Sequence, residues 1–402
     1  MSIIGIVGEY NPFHNGHEYH IHQSRRMLGE DCPVICVMSG DFVQRGEPAI
    51  YSKFARAEAA CRCGVDLVVE LPLPWSLSSA EGFAKGAVYL LSKLGVTHLS
   101  FGSEAGELEP LETIAQTLID PAVNGEIKSV LASDASLSYA AARQRALESR
   151  LGELSCQLEL PNNILAVEYL KAIYELRLDM QPMTVLRFGS GHDKEGENGP
   201  KSAAEIRRIL NQGGDVSDFI PKEAAQVYER ETRQGRAHTD RDMLEAAIIS
   251  RLRMFDSAYY DALPDGGDGI GRRLYKAAHE EAGLDAITAA AKTKRYALSR
   301  IRRMCMCAAL GVKAGMAEEL PPYVRVLAAN ERGCALLREL SRRGDIPVIT
   351  KPASVRDLPA ECREIFSLGA AAHDLYVLGF CAREEKKGTK EWRTSPIIVQ
   401  DL

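Results

Sequence analysis

Two histidines, His14 and His17, bracket an Asn-Gly step directly after the apolar run Ile3-Ile4-Gly5-Ile6-Val7. The apolar run predicts a short buried strand, and the segment from His17 to Leu28 predicts a helix. A strand, a glycine-containing loop and a helix start together make a phosphate site. Free backbone N–H groups and the positive end of the helix dipole face the ligand there. Histidine at that point can donate a hydrogen bond, neutralise charge or move a proton near neutral pH. Gly16 removes the side chain that would hold a phosphate away from the backbone. Only 9 of the 402 residues are histidine, so composition alone does not readily produce this pairing. The competing reading is a turn that carries two surface histidines.

Elements of alternating type must position this loop. Val34–Met38, Asp66–Glu70 and His98–Phe101 read as further strands. Lys53–Cys63, stopped by Gly64, reads as a helix. Ser78 with Glu81 forms a capping-box pattern before a second helix. Such alternation predicts a parallel sheet with right-handed crossovers, covered on both faces. Ligands bind such sheets outside the carboxyl ends of the strands. The unusual loops all follow strands: Glu9–His17, Ser39–Pro48, Leu71–Trp75 and Gly102–Glu104. They are expected to meet at one rim.

The rest of the chain divides coarsely. Residues 107–180 read as a helical excursion, Met183–Arg187 as a fifth strand, and Gly189–Pro200 as a polar loop. A helix over Ser202–Leu210 ends near Gly213-Gly214, a plausible domain boundary. A catalytic α/β domain over 1–213 and a mostly α-helical domain over 214–402 are therefore expected, with Lys222 to about Arg342 largely helical. Pro396–Val399 reads as a late strand. The Gly-rich loop 264–269 has no preceding strand, so it reads as a linker rather than a phosphate loop.

Composition narrows the class. Hydrophobic residues make up 46% and charged residues 26%, which describes a globular protein. No apolar run reaches spanning length, and the N-terminus lacks the basic region of a signal peptide. A cytoplasmic setting without membrane contact is expected. Ten cysteines are scattered without a Cys-x-x-Cys pair, so buried reduced thiols are favoured over a zinc site. A net charge of -6 argues against blanket nucleic-acid binding, but not against a local basic surface. Lys292, Lys294, Arg295, Arg300, Arg302 and Arg303 crowd one stretch with Tyr296. Such a stretch is either a solvated face or an RNA contact.

The His-x-Gly-His tetrad resembles the signature of nucleotidyltransferases. Three further segments extend the likeness: Met38–Pro48, Asp66–Pro72 and Phe101–Glu104. So do Pro161–Leu165, the segment around Arg187, Thr293–Tyr296 and Arg393–Val399. Together they are similar to the bacterial tRNA(Met) cytidine acetate ligases, nearly end to end. That resemblance implies a Rossmann-like fold, with ATP activating acetate as acetyl-adenylate. It implies acetylation of N4 of the wobble cytidine in elongator tRNA(Met). His14 and His17 are then catalytic. ATP-binding positions are Val7, Gly8, Glu9, Tyr10, Asn11, Pro12, Phe13, His14, Asn15, Gly16, His17, His20, Gly102, Asn162, Arg187, Ser202 and Arg207. The basic stretch 292–303 is the tRNA contact, and magnesium is implied by the triphosphate although no ligand cluster shows it.

Several points stay open at this level. Arg207 is alternatively a solvated residue, and Asn162 a helix cap. Ala204 stands where the second nucleotidyltransferase signature commonly has Thr. Asp41 stands where Asn is expected, and a buried carboxylate beside a triphosphate must be metal-bound or turned away. Phe42 and Arg45 are expected to cover the pocket. Two other functions remain: a small-molecule adenylyltransferase, and a non-catalytic RNA-binding protein.

Overall fold

Strand β1 (Ile4–Gly8) lies inside an eight-stranded sheet. In this computed structural model, which describes residues 2–134, 136–187, 201–237 and 241–400, it is followed by β2 (Val34–Ser39), then the short β3 (Phe42–Val43) and β4 (Glu47–Pro48). Next come β5 (Leu67–Leu71), β6 (His98–Ser103) and β7 (Gln181–Leu186). The chain closes with β8 (Val324–Ala329), β9 (Val348–Ile349) and β10 (Ile397–Ile398). The expected loop Gly189–Pro200 lies outside the described residues.

The sheet order is β10-β8-β5-β2-β1-β6-β7, with β9 beside β8. All pairings in it are parallel except β5 with β8. The chain runs from β1 outward to β2 and β5, then returns to β6 on the other side of β1. The switch point therefore falls between β1 and β6, beside the histidine loop. Side chains alternate between two cores with period two. Ile35 and Val37 pack under the helices Ala80–Lys93 and Pro161–Glu175, whereas Val34, Cys36 and Met38 face the helices Asn15–Leu28 and Lys53–Arg62.

The expected excursion over 107–180 is helical and joins the first of these cores. Three local expectations need correction. Ser79, not Ser78, caps the helix Ala80–Lys93, accepting from Gly82 N–H; Ser78 instead donates to the Trp75 carbonyl. The stretch Ser39–Pro48 contains a small antiparallel hairpin, β3 with β4. The helical run expected from Lys222 to about Arg342 is interrupted by β8. That strand is buried throughout, and a fully buried strand carries no alternation to separate it from a helix. The helices between Arg241 and Leu310 build a third core that takes in Phe42, Leu73 and Leu77 from the rim loops.

The helix Lys53–Arg62 ties the rim together. Every residue from Lys53 to Cys61 is buried, charged ones included. Arg56 is wholly buried and donates to four backbone carbonyls: Tyr51 at 3.0 Å, Ser39 at 3.2 Å, Glu9 and Gly40. Among the described residues no carboxylate pairs with it. Lys53 Nζ sits 2.9 Å from both Glu70 and Glu391, and Arg325 on β8 reaches Glu391 at 3.2 Å.

Replacing Arg56 with Met strands these carbonyls without donors. Each buried unpaired group costs about 1–3 kcal/mol, partly offset because no charge is then buried. Urea unfolding of Arg56→Met is expected to show a loss of about 3 kcal/mol or more. A midpoint equal to wild type would show that the carbonyls have other partners.

Candidate active site

His14 is the N-cap of the helix Asn15–Leu28, in extended backbone. Its Nδ1 accepts from Gly16 N–H at 3.1 Å, and His17 Nδ1 accepts from His14 N–H at 3.2 Å. The tetrad is thus a capping box built from two imidazoles. The rings lie 3.8 Å apart. A Cβ on Gly16 would fall 2.9 Å from the His14 ring, so the spacing needs glycine for this packing as well as for ligand access. Because both Nδ1 atoms accept, each neutral ring carries its proton on Nε2. Neither Nε2 is bonded within the protein among the described residues.

Burial, with Arg187 and Arg207 nearby, lowers the His14 pKa to about 4. Burial and His14 hold His17 well below its usual value, and burial with Arg187 lowers His20 to about 4. The histidines are neutral donors at neutral pH, and the cations of the site are the arginines. His20 Nε2 meets Ser100 Oγ on β6 at 2.9 Å, pinning the helix across the switch point.

The loop before His14 is held from within. Tyr10 and Phe13 are buried, with ring centroids 4.9 Å apart. Asn11 Oδ1 accepts from Ile50 N–H at 2.9 Å, Phe13 N–H donates to Tyr228 Oη at 2.9 Å, and Asn15 Nδ2 donates to the Asp218 carbonyl at 2.9 Å. Glu9 accepts from Gln44 N–H at 2.7 Å. Pro12 follows a cis peptide, and Val7 and Gly8 end β1. The side chains of Tyr10, Asn11 and Phe13 are committed to the protein.

Across the switch point, Arg187 follows β7 and donates to Asn162 Oδ1. Asn162 donates through Nδ2 to Glu104, whose other carboxylate oxygen accepts from Asn163 N–H at 3.0 Å. Glu104 thus satisfies the start of the helix Pro161–Glu175. Asn162 is not its cap, because Leu160 holds that position without a side-chain bond. Gly102 leaves room for Arg187: a Cβ there would lie 3.2 Å from Arg187 Cγ.

Arg207, on the helix Ala203–Asn211, donates to the Asn11 carbonyl at 2.7 Å and lies 3.8 Å from Glu47. It therefore belongs to the histidine loop rather than to a solvated face. Ser202 caps that helix in a box with Glu205, and Ala204 is exposed. Asp41 is turned away. Its carboxylate accepts from Lys53 N–H at 2.8 Å and meets His373 Nδ1 at 2.8 Å. Burial raises its pKa, but His373 and Lys53 outweigh this and hold it below the usual carboxylate range. Phe42 corrects an expectation: it is fully buried against Tyr376 and anchors the hairpin instead of covering a pocket. Arg45 is exposed beside it.

The basic stretch separates into two groups. Lys292 and Lys294 are exposed, while Arg295 and Arg300 are half-buried around Tyr296. Arg303 is buried and pairs with Asp265 at 3.0 Å, so its charge is used inside the protein, contrary to its place among the RNA contacts. Arg302 pairs with Glu47. Gly46, at φ +74, rests on the Arg302–Arg303 backbone, where a Cβ would fall within 2.4 Å. The sequence reading missed Arg56, Lys53, Glu70, Glu391 and His373, which no local pattern marks. Among the described residues one cluster has metal-ligand spacing, Glu18, Cys63 and Glu223. Its mixed thiol and carboxylate donors do not suit magnesium.

The lowered histidine pKa values have a directional consequence. Unfolded histidine binds a proton near pH 6.5, and folded His14 and His20 do so only near 4. Their contribution to stability is full above about pH 6.5 and is lost as pH falls through 4. NMR titration of the imidazole Cε1–H signals should give midpoints near 4 for both. A midpoint near 6.5 for either would refute the neutral-donor assignment.

The HIGH nucleotidyl transferase family model matches residues 1–391. A tRNA(Met) cytidine acetate ligase of Caldanaerobacter subterraneus is 36% identical over 393 residues, covering 94% of this chain and 96% of that protein. One from Clostridium botulinum is 34% identical over 420 residues, covering 100% of this chain and 99% of that protein. The crystal structure of apo Thermotoga maritima TmcAL superposes with a TM-score of 0.93 at 30% identity, with both chains covered in full. The same protein bound with alpha-thio ATP superposes at 0.91. This chain therefore belongs to the tRNA(Met) cytidine acetate ligase family of HIGH nucleotidyltransferases.

Proposed function

We propose that this protein joins acetate to N4 of the wobble cytidine of elongator tRNA(Met) in two steps driven by ATP. A carboxylate oxygen of acetate attacks the α-phosphorus, and pyrophosphate leaves with the electron pair. The cytidine amine then attacks the acetyl carbonyl; AMP leaves and the amine loses a proton. The amine is weak because its lone pair is delocalised into the ring, which is why a mixed anhydride is made first. The observation that carries this reading is the pair of Nε2–H donors at a helix N-terminus on the switch point, in a chain matching this family end to end.

The residues fit an ATP site. His14 and His17 donate to the phosphates, and Arg187 and Arg207 supply positive charge. The backbone from Val7 to Gly16 lines the nucleotide, with His20, Gly102, Asn162 and Ser202 in support. No acyl-enzyme is involved. All ten cysteines are free, and burial pushes the thiols of Cys36, Cys63, Cys305 and Cys307 to about 12, away from the nucleophilic thiolate. Magnesium arrives as the counter-ion of ATP; among the described residues the one cluster with metal-ligand spacing does not suit it. No described helix is long and apolar enough to cross a membrane, and a cytoplasmic setting suits the substrates.

Acetate-dependent ATP–pyrophosphate exchange and mass analysis of tRNA nucleosides test the reading together. Wild type is expected to show both exchange and N4-acetylcytidine. His17→Ala should lose about a hundredfold or more in exchange, as when other transition-state donors are removed. Exchange at the wild-type rate would remove His17 from the chemistry. Exchange without modified tRNA would instead favour a small-molecule adenylyltransferase.

The exposed part of the basic stretch makes a separate expectation. Lys292→Ala with Lys294→Ala should weaken tRNA binding and flatten its salt dependence, while pyrophosphate exchange persists. An unchanged salt slope would return this stretch to a solvated face.

A further inference from the structure

Two donors at the carboxyl end of β2 have no acceptor within the protein among the described residues. Ser39 Oγ is fully buried and unpartnered. The N–H group of Asp41 is buried too and has no acceptor, whereas the Gly40 N–H serves the β2–β5 ladder, where Ser39 pairs with Leu71. Buried donors left unpaired are uncommon. Arg56 sets the direction of the Asp41 N–H. Ser39 and Gly40 turn their carbonyls onto its guanidinium, and a trans peptide points its N–H opposite to its C=O. The Asp41 N–H therefore faces away from Arg56.

The charges around this point do not cancel. Lys53 and Arg325 are matched by Glu70 and Glu391, and Asp41 is engaged by His373. Glu70 also occupies the space of a Gly40 side chain, since a Cβ there would fall 2.4 Å from its Oε1. Glu9 accepts from Gln44. Arg56 remains a buried cation without a carboxylate. Neutral donors without partners, backed by an unmatched cation, suit a small anion. The place is one strand from the histidine loop, because Gly8 on β1 pairs with Met38 on β2.

We propose that Ser39 Oγ and Asp41 N–H bind the carboxylate of the acid substrate. The assignment rests on the reading of acetate as that substrate. One carboxylate oxygen is held by these donors, and the other forms the new bond to the α-phosphorus as the bond to pyrophosphate breaks. Arg56 acts as a positioning residue, because it aims the peptides without touching acetate.

Ser39→Ala removes one donor and no charge. The hydroxyl has no internal partner, so the variant should unfold at the same temperature as wild type or higher. In acetate-dependent ATP–pyrophosphate exchange its KM for acetate is expected to rise about tenfold, the scale of one hydrogen bond to a charged group, while KM for ATP stays within about twofold. Equal changes in both KM values, or none, would overturn the assignment. A second measurement uses the wild-type protein. Titrating sodium acetate with an ATP analogue present should shift the amide signal of Asp41, and an unmoved signal would likewise overturn it. Absence of acetate-dependent exchange in the wild type would instead defeat the functional reading itself.

Discussion

A single buried guanidinium holds the rim of this enzyme together. Arg56 donates to carbonyls from the loop after β1, the loop after β2 and the segment leading into its own helix. Loops at a sheet edge are ordinarily the least constrained part of an α/β fold. Here two of them share one rigid, planar donor that cannot lose its proton. The arrangement sets the relative position of the histidine loop and the Ser39–Asp41 turn, which sit on adjacent strands. Lysine would supply the charge but not the fork that reaches three chain segments at once.

Around that clamp lies a shell of buried ion pairs that brings the far end of the chain to the same rim. Lys53 joins Glu70 at the end of β5 to Glu391 near the C-terminus, and Arg325 carries the chain of charges onto β8. Asp41 reaches His373 on the helix Ala360–Tyr376. Buried pairs of this kind contribute little net stability compared with apolar packing, but losing one partner is costly. They therefore specify which segments meet. The last third of the chain completes the sheet and buttresses the site, while the helices from Arg241 to Leu310 dock on the loops after β2 and β5 through Phe42, Leu73 and Leu77.

The site separates hydrogen bonding from charge. His14 and His17 are buried, each spends Nδ1 on a backbone N–H, and neither carries a proton charge at neutral pH. Arg187 and Arg207, which lower the histidine pKa values, provide the positive field. A bound triphosphate would oppose that effect, since negative charge favours the imidazolium. The same rings are thus placed to become better donors as negative charge accumulates on the phosphates.

What the sequence determined by itself was local. The tetrad His14-Asn15-Gly16-His17 carried its own strand, turn and helix start, and the parallel core was legible from apolar runs spaced by helices. Asn162 and Arg187 were reached through motif resemblance, and the structure brings them together across the switch point. The tertiary structure decided the rest. Lys53 and Arg56 sit in a helix whose every residue through Cys61 is buried, yet in sequence they read as an ordinary charged helix face. Asp41 read as a threat to phosphate binding until His373, 332 residues away, turned it aside. Arg303 read as surface, yet it is buried and paired with Asp265. β8 was hidden because full burial on both faces erases the period that separates strand from helix. In each case the deciding partner is distant in the chain. Local pattern reports which groups can bond, and only the fold settles which of them are left free to act on a substrate.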